Sequence, residues 1–583
     1  MEYLKLTEFY EKLESTQKRL EKTSLIAKLL MSASAEDLEY VVFLARGIIF
    51  PPWDERKIGV SSQLIMKALS LAVGASKEQI VELWKKKGDL GEIAAHLVKE
   101  KRQTTLTSKR LTIKKVLDNI RDLSKLEGSG TVDRKVSLMS ELLTSASPIE
   151  AKYIVRTILE QLRIGVAEGT MRDALVWAYL EKESGMHYIK GELSVENREK
   201  YNACIDAVQN AYDLCNDLGL VAEALKKNGL NGLKHFSVRV GTPINSMLAI
   251  KTDTIEEAFE ALGKPAQFEF KYDGFRVSVH KDGNNITLFT RRLENVTKQF
   301  PDIVEAVKKH VKGKSFILDT EAVGYDYKTK KYLPFQNVSQ RIKRKYSIER
   351  LVKEIPIEVN VFDIMYYKGK SLINEPLSAR TKILDKIIRE KPLEIVLSKR
   401  LVTDDKKKID KFYKESLKKA HEGLMIKNIK SNYNPGRYVG GWMKLKPILD
   451  SLDLVIIGAE YGTGRRAGSF SSFILGCKSG DQFLSCGMMG TGIKEIKGKG
   501  VTFKELTALL KPYMIKAAGR IVRIKPKIVI EITYGEIQKS PTYESGFALR
   551  FPRFKTIRED KSPQEANSLE DIKKIFDKQH GKE

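Results

Sequence analysis

The first 236 residues repeat apolar positions at the spacing of an α-helix. The pattern is regular over residues 25–30 and 153–162, where Leu, Ile and Tyr recur every three or four positions. Two segments in this part are alike, GDLGEIAAHL from Gly88 and NDLGLVAEAL from Asn216, and each carries an aspartate where a helix N-cap would lie. We therefore predict an all-α N-terminal domain, residues 1–236, that contains two related helical lobes.

From residue 237 the pattern changes to the two-residue alternation of β-strands. RVSVHKDGNNITLFTRR alternates on both sides of Asp282-Gly283, as a β-hairpin does. Three later runs also predict strands, FILDTEAVGYD, IEVNVFDIMYY and EGLMIKN, and residues 377–390 predict a helix between the last two. Residues 237–447 are therefore predicted to form a mixed α/β domain.

Residues 448–583 contain a series of short strand patterns. The clearest are LDLVIIGAEYG, FSSFILGCKS and RIKPKIVIEITYGEI. Their spacing predicts a small β-barrel of the oligonucleotide-binding fold, and residues 563–576 predict a helix near the end of the chain.

The charge of the chain points to a polyanionic partner. Lys and Arg number 102 against 75 Asp and Glu, a formal net charge of +27. Nucleic acid is the commonest large polyanion, although a basic surface that faces anionic lipid fits the charge alone as well.

The apolar runs and the cysteines indicate in which cellular compartment the protein is expected. No run has the length of a membrane span or of a signal-peptide core, so we expect no membrane partner, no secretion, and a cytoplasmic location with the nucleoid. The four cysteines are dispersed without CxxC spacing, which indicates neither a zinc site nor a disulfide framework.

The candidate nucleophile is Lys271 in FEFKYDGFR, residues 268–276. A lysine that attacks phosphorus must be neutral and rigidly held, and nearby cations or burial lower its pKa. Lys271 follows a strand pattern and precedes a tight turn at Asp273-Gly274. Taken alone, the Lys-x-Asp-Gly tetrad of residues 271–274 fits an exposed strand lysine before a turn at least as well as it fits a nucleophile.

Further motifs follow Lys271 in a fixed order. They are FTRRLENVTKQFPDI around Arg291, LDTEAVGYD around Glu321, NVFDIMYYKG around Phe362, EGLMIKN with Glu422 and Lys427, and WMKLKP with Lys444 and Lys446. This ordered series resembles the motifs of the covalent nucleotidyltransferases, which are the ATP-dependent DNA ligases, RNA ligases and mRNA-capping enzymes.

The resemblance implies a role for each motif residue. Lys271 would carry AMP, Lys427 would act in catalysis, and Glu321 and Glu422 would hold Mg²⁺ or Mn²⁺, which prefer hard oxygen ligands. Glu269 would bind the adenine amino group, and Phe362 would stack on the adenine ring. The complete set of implied ATP contacts is Glu269, Lys271, Arg276, Arg291, Glu321, Phe362, Arg437, Lys444 and Lys446.

Two segments outside the central motifs narrow the resemblance. GEIQKSPTYESGFALRFPRFKTIREDKSP is similar to the C-terminal barrel of replicative-type ligases, where it orients the leaving pyrophosphate. QLRIGVAEGTMRDAL, residues 161–175, is similar to their helical DNA-binding domain. The implied C-terminal site residues are Arg550, Arg553, Arg558, Asp560 and Lys561.

The chain is thus identified as similar to the archaeal, replicative type of ATP-dependent DNA ligase. The resemblance implies that it seals nicks with a 5′-phosphate and a 3′-OH in duplex DNA, through lysyl-AMP and DNA-adenylate intermediates, in replication, repair and recombination. Nicked double-stranded DNA is the expected partner, a sliding clamp is a further candidate, and we expect a monomer.

Two alternatives remain open from the sequence. One is a different covalent nucleotidyltransferase, either an RNA ligase or a capping guanylyltransferase, and the other is a DNA-binding protein with an inactive transferase fold. Whether ADP or GTP can replace ATP is also open.

Overall fold

The structure, a computed structural model, describes two compact units. Described are residues 1–579 except 55, 102–109, 127, 129, 190, 343–347, 420, 437–440, 448–450, 463–465, 467, 496–497, 499 and 519. Unit 1 contains residues 1–250, 274–399 and 427–442, and unit 2 contains residues 251–273, 400–426 and 443–583. The segment 237–447 contributes to both units, and the domain boundaries proposed from the sequence stay a prediction.

The N-terminal part of unit 1 is helical, as predicted. Its helices are α1 (Tyr3–Ser15), α2 (Arg19–Ser32), α3 (Leu38–Arg46), α4 (Ser62–Val73), α5 (Lys77–Lys87), α6 (Leu90–Glu100), α7 (Ile113–Asp122), α8 (Thr131–Ser145), α9 (Pro148–Ile158), α10 (Glu168–Tyr179), α11 (Glu181–Ser184), α12 (Arg198–Cys215) and α13 (Leu218–Leu233). A short antiparallel hairpin interrupts them, β1 (Met186–Ile189) with β2 (Glu192–Val195). The helices share one apolar core. No helix among the described residues is both long and apolar enough to cross a membrane.

The two similar segments begin two helices in the same way. The Asp89 carboxylate accepts hydrogen bonds from the backbone N–H groups of Gly91 and Glu92 at the start of α6. Asp217 accepts from Gly219 and the next residue at the start of α13. These caps satisfy N–H groups that have no partner inside the helix, and they confirm the predicted helix starts.

The similarity extends over a longer duplication. TSLIAKLLMSAS in α2 matches VSLMSELLTSAS in α8, and an Ile-Gly-Val loop precedes both α4 and α10. Each repeat has a buried lysine that donates a hydrogen bond to the loop of the other repeat. Lys22 of α2 donates to the Ile164 carbonyl, and Lys135 of α8 donates to the Ile58 carbonyl at 2.6 Å. Accordingly α2 packs against α10, and α8 packs against α4. The two repeats therefore interlock instead of forming separate lobes.

The middle of the chain alternates strands and helices. The strands are β3 (Ile250–Thr252), β4 (Ala266–Phe270), β5 (Phe275–Asp282), β6 (Asn285–Thr290), β7 (Ser315–Gly324), β8 (Ile357–Tyr367), β9 (Lys370–Ser371), β10 (Ile395–Leu397), β11 (Arg400–Thr403), β12 (Leu424–Asn428) and β13 (Trp442–Leu445). The helices are α14 (Ile255–Leu262), α15 (Pro301–His310), α16 (Phe335–Ile342), α17 (Ile348–Glu354), α18 (Leu377–Ile387) and α19 (Lys406–Lys418).

These strands form two sheets. The sheet of unit 1 has the order β10-β8-β7-β5-β6, with β9 paired to β8, and packs its apolar face against α15 and α18. The predicted hairpin is confirmed, because Asp282 pairs with Asn285 and Gly283 adopts a φ of +57° in the turn. The strands β11-β4-β12-β13-β3 form the second sheet and place β4 between β11 and β12.

The C-terminal part of unit 2 is rich in strands. They are β14 (Leu452–Tyr461), β15 (Phe470–Ser479), β16 (Gln482–Met489), β17 (Met514–Ala518), β18 (Ile521–Ile524), β19 (Val529–Thr533), β20 (Glu536–Lys539), β21 (Phe547–Arg550) and β22 (Arg553–Ile557), with helices α20 (Phe503–Leu510) and α21 (Leu569–Gln579).

The strand pairing returns to its starting point. The first half of β14 pairs with β19 and the second half with β18, β15 pairs with β14 and β16, and β22 pairs with β19. Thr491, just after β16, pairs with Arg553 of β22. This circuit closes a barrel, which agrees with the predicted fold class.

The last helix begins later than the sequence prediction. Residues 563–565 form a single 3₁₀ turn, because Ser562 and Glu565 make a capping box that satisfies its first N–H groups. The prediction of a helix from residue 563 is therefore wrong. A second reciprocal pair, Ser568 with Asp571, begins α21.

We expect Arg380→Leu to destabilise unit 1. Arg380 and Asp363 are fully buried and form two hydrogen bonds, of 2.7 and 2.9 Å, that join α18 to β8. Loss of the guanidinium leaves a buried carboxylate without its ion-pair partner, which should lower the unfolding free energy by about 3–5 kcal/mol. Urea titrations measure this loss. The control Arg350→Leu removes a 79% exposed partner of Glu354 and should cost less than about 0.5 kcal/mol. Equal losses would contradict the assignment.

Candidate active site

Lys271 lies at the end of a rigid element in unit 2. It directly follows β4, all five residues of which are buried. Its backbone N–H donates to the Gly423 carbonyl at 2.9 Å, and its carbonyl accepts from the Glu422 N–H at 2.7 Å. The Cα of Lys271 is therefore fixed relative to the loop that carries Glu422, as the predicted nucleophile requires.

Two motif glycines are explained by close backbone approach. A Cβ on Gly423 would lie 2.2 Å from the Leu445 carbonyl, and the φ of this residue is +127°. A Cβ on Gly274, in the Lys-x-Asp-Gly tetrad, would lie 2.5 Å from the Ala322 carbonyl of β7. Only glycine fits these positions without a shift of the backbone.

The side chain of Lys271 is paired with a carboxylate. The Lys271 Nζ lies 2.7 Å from Glu422 Oε2, and the Lys446 Nζ lies 2.6 Å from the same oxygen. Burial by itself would raise the pKa of Glu422, but the two ammonium groups lower it to about 2. Glu422 is therefore ionised at neutral pH, and its ion pair with Lys271 must open before the amine can attack phosphorus.

The other predicted residues of unit 2 lie on β4 and β13. Glu269 is 3% exposed and accepts a hydrogen bond from the Gln267 side chain at 2.7 Å. Because residues two apart on a strand point to the same face, Gln267 and Glu269 can meet. Lys444 is half-buried on β13, and Lys446 lies just beyond the end of this strand.

Arg276 is held within unit 1 by a buried carboxylate. Its Nε donates to Asp319 Oδ1 at 2.8 Å, its Nη2 contacts Asp319 Oδ2, and its Nη1 donates to the Met247 carbonyl at 2.5 Å. Tyr433 accepts from Nη2 at 3.0 Å and donates to Asp319 at 2.8 Å. These contacts use four of the five N–H groups of Arg276, which leaves one for a ligand.

Lys427 lies between two aromatic rings. Its side chain is buried, with Nζ 4.6 Å from the ring centre of Phe362 and 4.3 Å from that of Trp442. The two rings meet edge to face at 6.0 Å, and Arg276 lies 5.3 Å from Phe362. Cation–π attraction thus stabilises two cations beside Phe362.

Glu321 and Arg291 lie on the same sheet. Glu321 is half-buried on β7, where its Cα pairs with that of Arg276 in β5. Glu321 and Asp319 are two apart and share one face of the strand. Arg291 is exposed in the turn that follows β6.

The C-terminal candidates are divided between two places in the barrel. Arg550 pairs with Glu536 at 3.1 Å, and Arg553 is exposed on β22. Arg558 holds Asp560 at 2.7 Å and lowers the pKa of this carboxyl to about 2. Arg558 and Lys561 also contact Asp453, which the sequence did not identify.

The structure groups most of the predicted residues. Those in unit 2 near the nucleophile are Glu269, Lys271, Glu422, Lys444 and Lys446, and those in unit 1 are Arg276, Arg291, Glu321, Phe362 and Lys427. Arg437 lies outside the described residues. Sequence reasoning missed Asp319, Tyr433, Trp442 and Asp453. Asp319 alone had a signal, since it stands two before Glu321 in a strand pattern.

Three family models match the chain in order. They are described as DNA ligase N terminus (residues 2–176), ATP dependent DNA ligase domain (residues 246–446) and ATP dependent DNA ligase C terminal region (residues 466–561). Their ranges include both groups of site residues.

Several curated proteins match over almost the full length. A DNA ligase of Nanoarchaeum equitans is 44% identical over 100% of this chain and 99% of its own. A DNA ligase of Thermococcus fumicolans is 41% identical, and one of Archaeoglobus fulgidus is 39% identical, each over 99% of this chain and 98% of its own. A solved structure described as Pmar-Lig_PreS3 shares the fold, with a TM-score of 0.56 and 17% identity over 95% of this chain and 99% of its own.

The ion pairs of Glu422 predict a pH-dependent contribution to stability. Because the folded pKa, about 2, lies below the ordinary 4.5, this contribution is present above pH 4.5 and is lost as the pH falls toward 2. We expect Glu422→Gln to lower the unfolding free energy by up to about 3 kcal/mol at pH 7, and by less than half as much at pH 3. Urea titrations at both pH values measure this difference.

The control is Glu305→Gln, which alters an exposed carboxylate 3.4 Å from Lys308. It should change the unfolding free energy by less than about 0.5 kcal/mol at either pH. A Glu422→Gln loss that is the same at both pH values would show that its ion pairs are not the cause.

Proposed function

Since this chain belongs to the family of ATP-dependent DNA ligases, we propose that it seals nicks in DNA through AMP carried on Lys271. The enzyme uses ATP and forms phosphodiester bonds in DNA. The observation that carries the assignment of Lys271 is its fixed backbone at the end of β4, with Glu422 and Lys446 at its side chain.

The first step is attack of the Lys271 amine on the α-phosphorus of ATP. A nitrogen–phosphorus bond forms, the bond to the β-phosphate oxygen breaks, and pyrophosphate leaves. Negative charge develops on the phosphate oxygens, so cations must already be in place. Lys446 lies within ion-pair distance of the carboxylate that contacts Lys271, and Lys444 is two residues earlier. We assign both lysines to this charge.

The two later steps transfer the AMP and release it. The 5′-phosphate of the nick attacks the lysyl-AMP phosphorus and frees the lysine. The 3′-OH then attacks the activated 5′-phosphate, a phosphodiester bond forms, and AMP leaves. Lys427 is the cation we assign to these steps, because Phe362 and Trp442 hold it rigidly and its charge needs no reorganisation.

By the family resemblance, we assign the adenosine contacts to Glu269 of β4 and to Phe362 of β8. Glu269 offers a buried carboxylate acceptor for the adenine amino group, and Phe362 offers a ring for stacking. Arg276 has one N–H left, so we assign it mainly to holding Asp319 and Tyr433 in position. Arg291 and Arg437 are assigned to ATP contacts, as the family resemblance implies.

By the family resemblance, we also assign two carboxylates to a divalent cation. Glu321 and Glu422 supply hard oxygen atoms, and the lowered pKa of Glu422 keeps it ionised. Among the described residues, no three His, Cys, Asp or Glu side chains are arranged as a metal site. When bound, the cation would neutralise charge on the transferred phosphate.

The net charge of +27 supports binding to the DNA backbone. Nicks occur at any sequence, and phosphate contacts give sequence-independent affinity that falls with salt. We propose nicked duplex DNA as the substrate, a monomer as the active form, a sliding clamp as a partner, and the cytoplasm with its nucleoid as the location.

We expect Lys271→Ala to abolish the covalent adduct. Wild-type enzyme incubated with α-³²P-labelled ATP and Mg²⁺ should give a labelled band on a denaturing gel, and nicked DNA should discharge it. The variant lacks the amine, so it should give no band, yet it should seal a pre-adenylated nick because that step needs no lysine nucleophile.

The control is Lys251→Arg, which alters a 60% exposed lysine of unit 2 and should label normally. A labelled Lys271→Ala band would place the nucleophile elsewhere. Labelling by GTP in place of ATP would instead indicate a guanylyltransferase.

We expect Glu269→Gln to weaken ATP use selectively, because the neutral amide oxygen is a weaker acceptor for the adenine amino group than the carboxylate. Labelling with ATP at subsaturating concentration should fall by about tenfold, the loss typical of one hydrogen bond to a charged group. Sealing of pre-adenylated nicks should fall less, because the AMP is already attached to DNA. Equal losses in the two assays would contradict the adenine contact.

A further inference from the structure

One buried carboxylate, that of Asp453, contacts two cationic side chains near the end of the barrel, Arg558 and Lys561. Asp453 Oδ2 lies 3.0 Å from the Arg558 Nη1 and 2.6 Å from the Lys561 Nζ, and Asp453 Oδ1 lies 3.1 Å from the Arg558 Nη1. Asp560 pairs with the other edge of the Arg558 guanidinium, at 2.7 and 2.9 Å. We call Asp453, Arg558, Asp560 and Lys561 the C-terminal cluster.

The backbone fixes the position of Asp453. It is the second residue of β14 and pairs with Glu531 of β19. Its N–H donates to the Asn567 side chain at 2.8 Å, and its carbonyl accepts from the Asn567 N–H at 2.8 Å. The Asp453 side chain is 12% exposed. The carboxylate is therefore a fixed point to which longer, more flexible side chains attach.

The two cations depend on this fixed point. Arg558 and Lys561 are 25% and 31% exposed, and both have long side chains that lose rotamer freedom when they are held in one place. Their like charges also repel. Asp560 contacts only Arg558 within the cluster, whereas Asp453 contacts both cations and opposes their repulsion.

We propose that Asp453 is a positioning residue for the first step of ligation. It holds Arg558 and Lys561 side by side, so that both head groups can bind one polyphosphate and orient the departing pyrophosphate. The inference rests on the proposed function and on the role that the family resemblance implies for the segment of Arg558 and Lys561, which is to orient the pyrophosphate that leaves when AMP is transferred to Lys271.

The proposal predicts that loss of Asp453 slows the transfer of AMP to Lys271 more than it slows the sealing of a pre-adenylated nick. Pyrophosphate leaves only in the first step, so a residue that positions its cations should matter there and not when AMP already sits on the nick. A residue that merely supports the barrel should affect both reactions to the same extent.

The test compares Asp453→Asn, Asp453→Glu and Glu531→Gln in the full chain. We expect Asp453→Asn to slow labelling of Lys271 by α-³²P-labelled ATP by roughly tenfold or more, while sealing of pre-adenylated nicks stays within about twofold. Asp453→Glu restores the charge and should recover part of the rate. Glu531→Gln removes the carboxylate on the paired strand, which holds Lys555 at 2.7 Å, and should leave both rates within about twofold.

A second comparison asks whether Asp453 acts through the two cations. Adding Asp453→Asn to the double variant Arg558→Ala/Lys561→Ala should slow labelling no further, because the groups it positions are gone. An additive loss, an equal loss in both assays, or a normal labelling rate for Asp453→Asn would overturn the inference. Normal labelling by Arg558→Ala/Lys561→Ala would instead refute the role of the cations in the proposed function.

Discussion

The proposed chemistry of this chain depends on one carboxylate between two ammonium groups. Glu422 contacts Lys271 and Lys446 through the same oxygen, and the backbone beside it accepts and donates the hydrogen bonds that fix Lys271. The arrangement keeps the future nucleophile close to a second cation without leaving a buried charge unpaired. In the proposed reaction the Lys271–Glu422 contact must open before the amine can attack ATP.

The cations of unit 1 are held by a different principle. Arg276 is fixed by a bidentate carboxylate, a tyrosine and a backbone carbonyl, and Lys427 is fixed by the faces of two aromatic rings. Both arrangements keep a positive charge in place while most of its side chain is away from water. In the barrel Asp453 gives the same kind of support to Arg558 and Lys561. Across the chain, anions and rings from distant segments position the cations that we assign to the phosphates.

The sequence predicted most reliably those features that depend on residues close together in the chain. Lys271, Glu422 and Lys446 stand in short motifs whose order identified the family, and the motif glycines reflect backbone contacts within a few ångströms. The alternation of apolar residues also predicted β5, whose two faces meet different surroundings. Runs of apolar residues predicted β7, β8 and β14, which are buried on both faces over most of their length. The predicted start of the last helix was wrong. The capping box of Ser562 and Glu565 begins only a 3₁₀ turn, and a second reciprocal pair, Ser568 with Asp571, begins α21.

The sequence by itself determined the class of each segment, the helical duplication in outline, and the residues proposed to carry the reaction. Only the tertiary structure decided which groups support them. Asp319 is 43 residues from Arg276, Asp453 is 105 residues from Arg558, and Lys22 reaches the Ile164 carbonyl in the other repeat. Such pairs leave no periodic trace in the chain, because a hydrogen bond between distant segments depends on how strands and helices pack and not on their spacing in sequence.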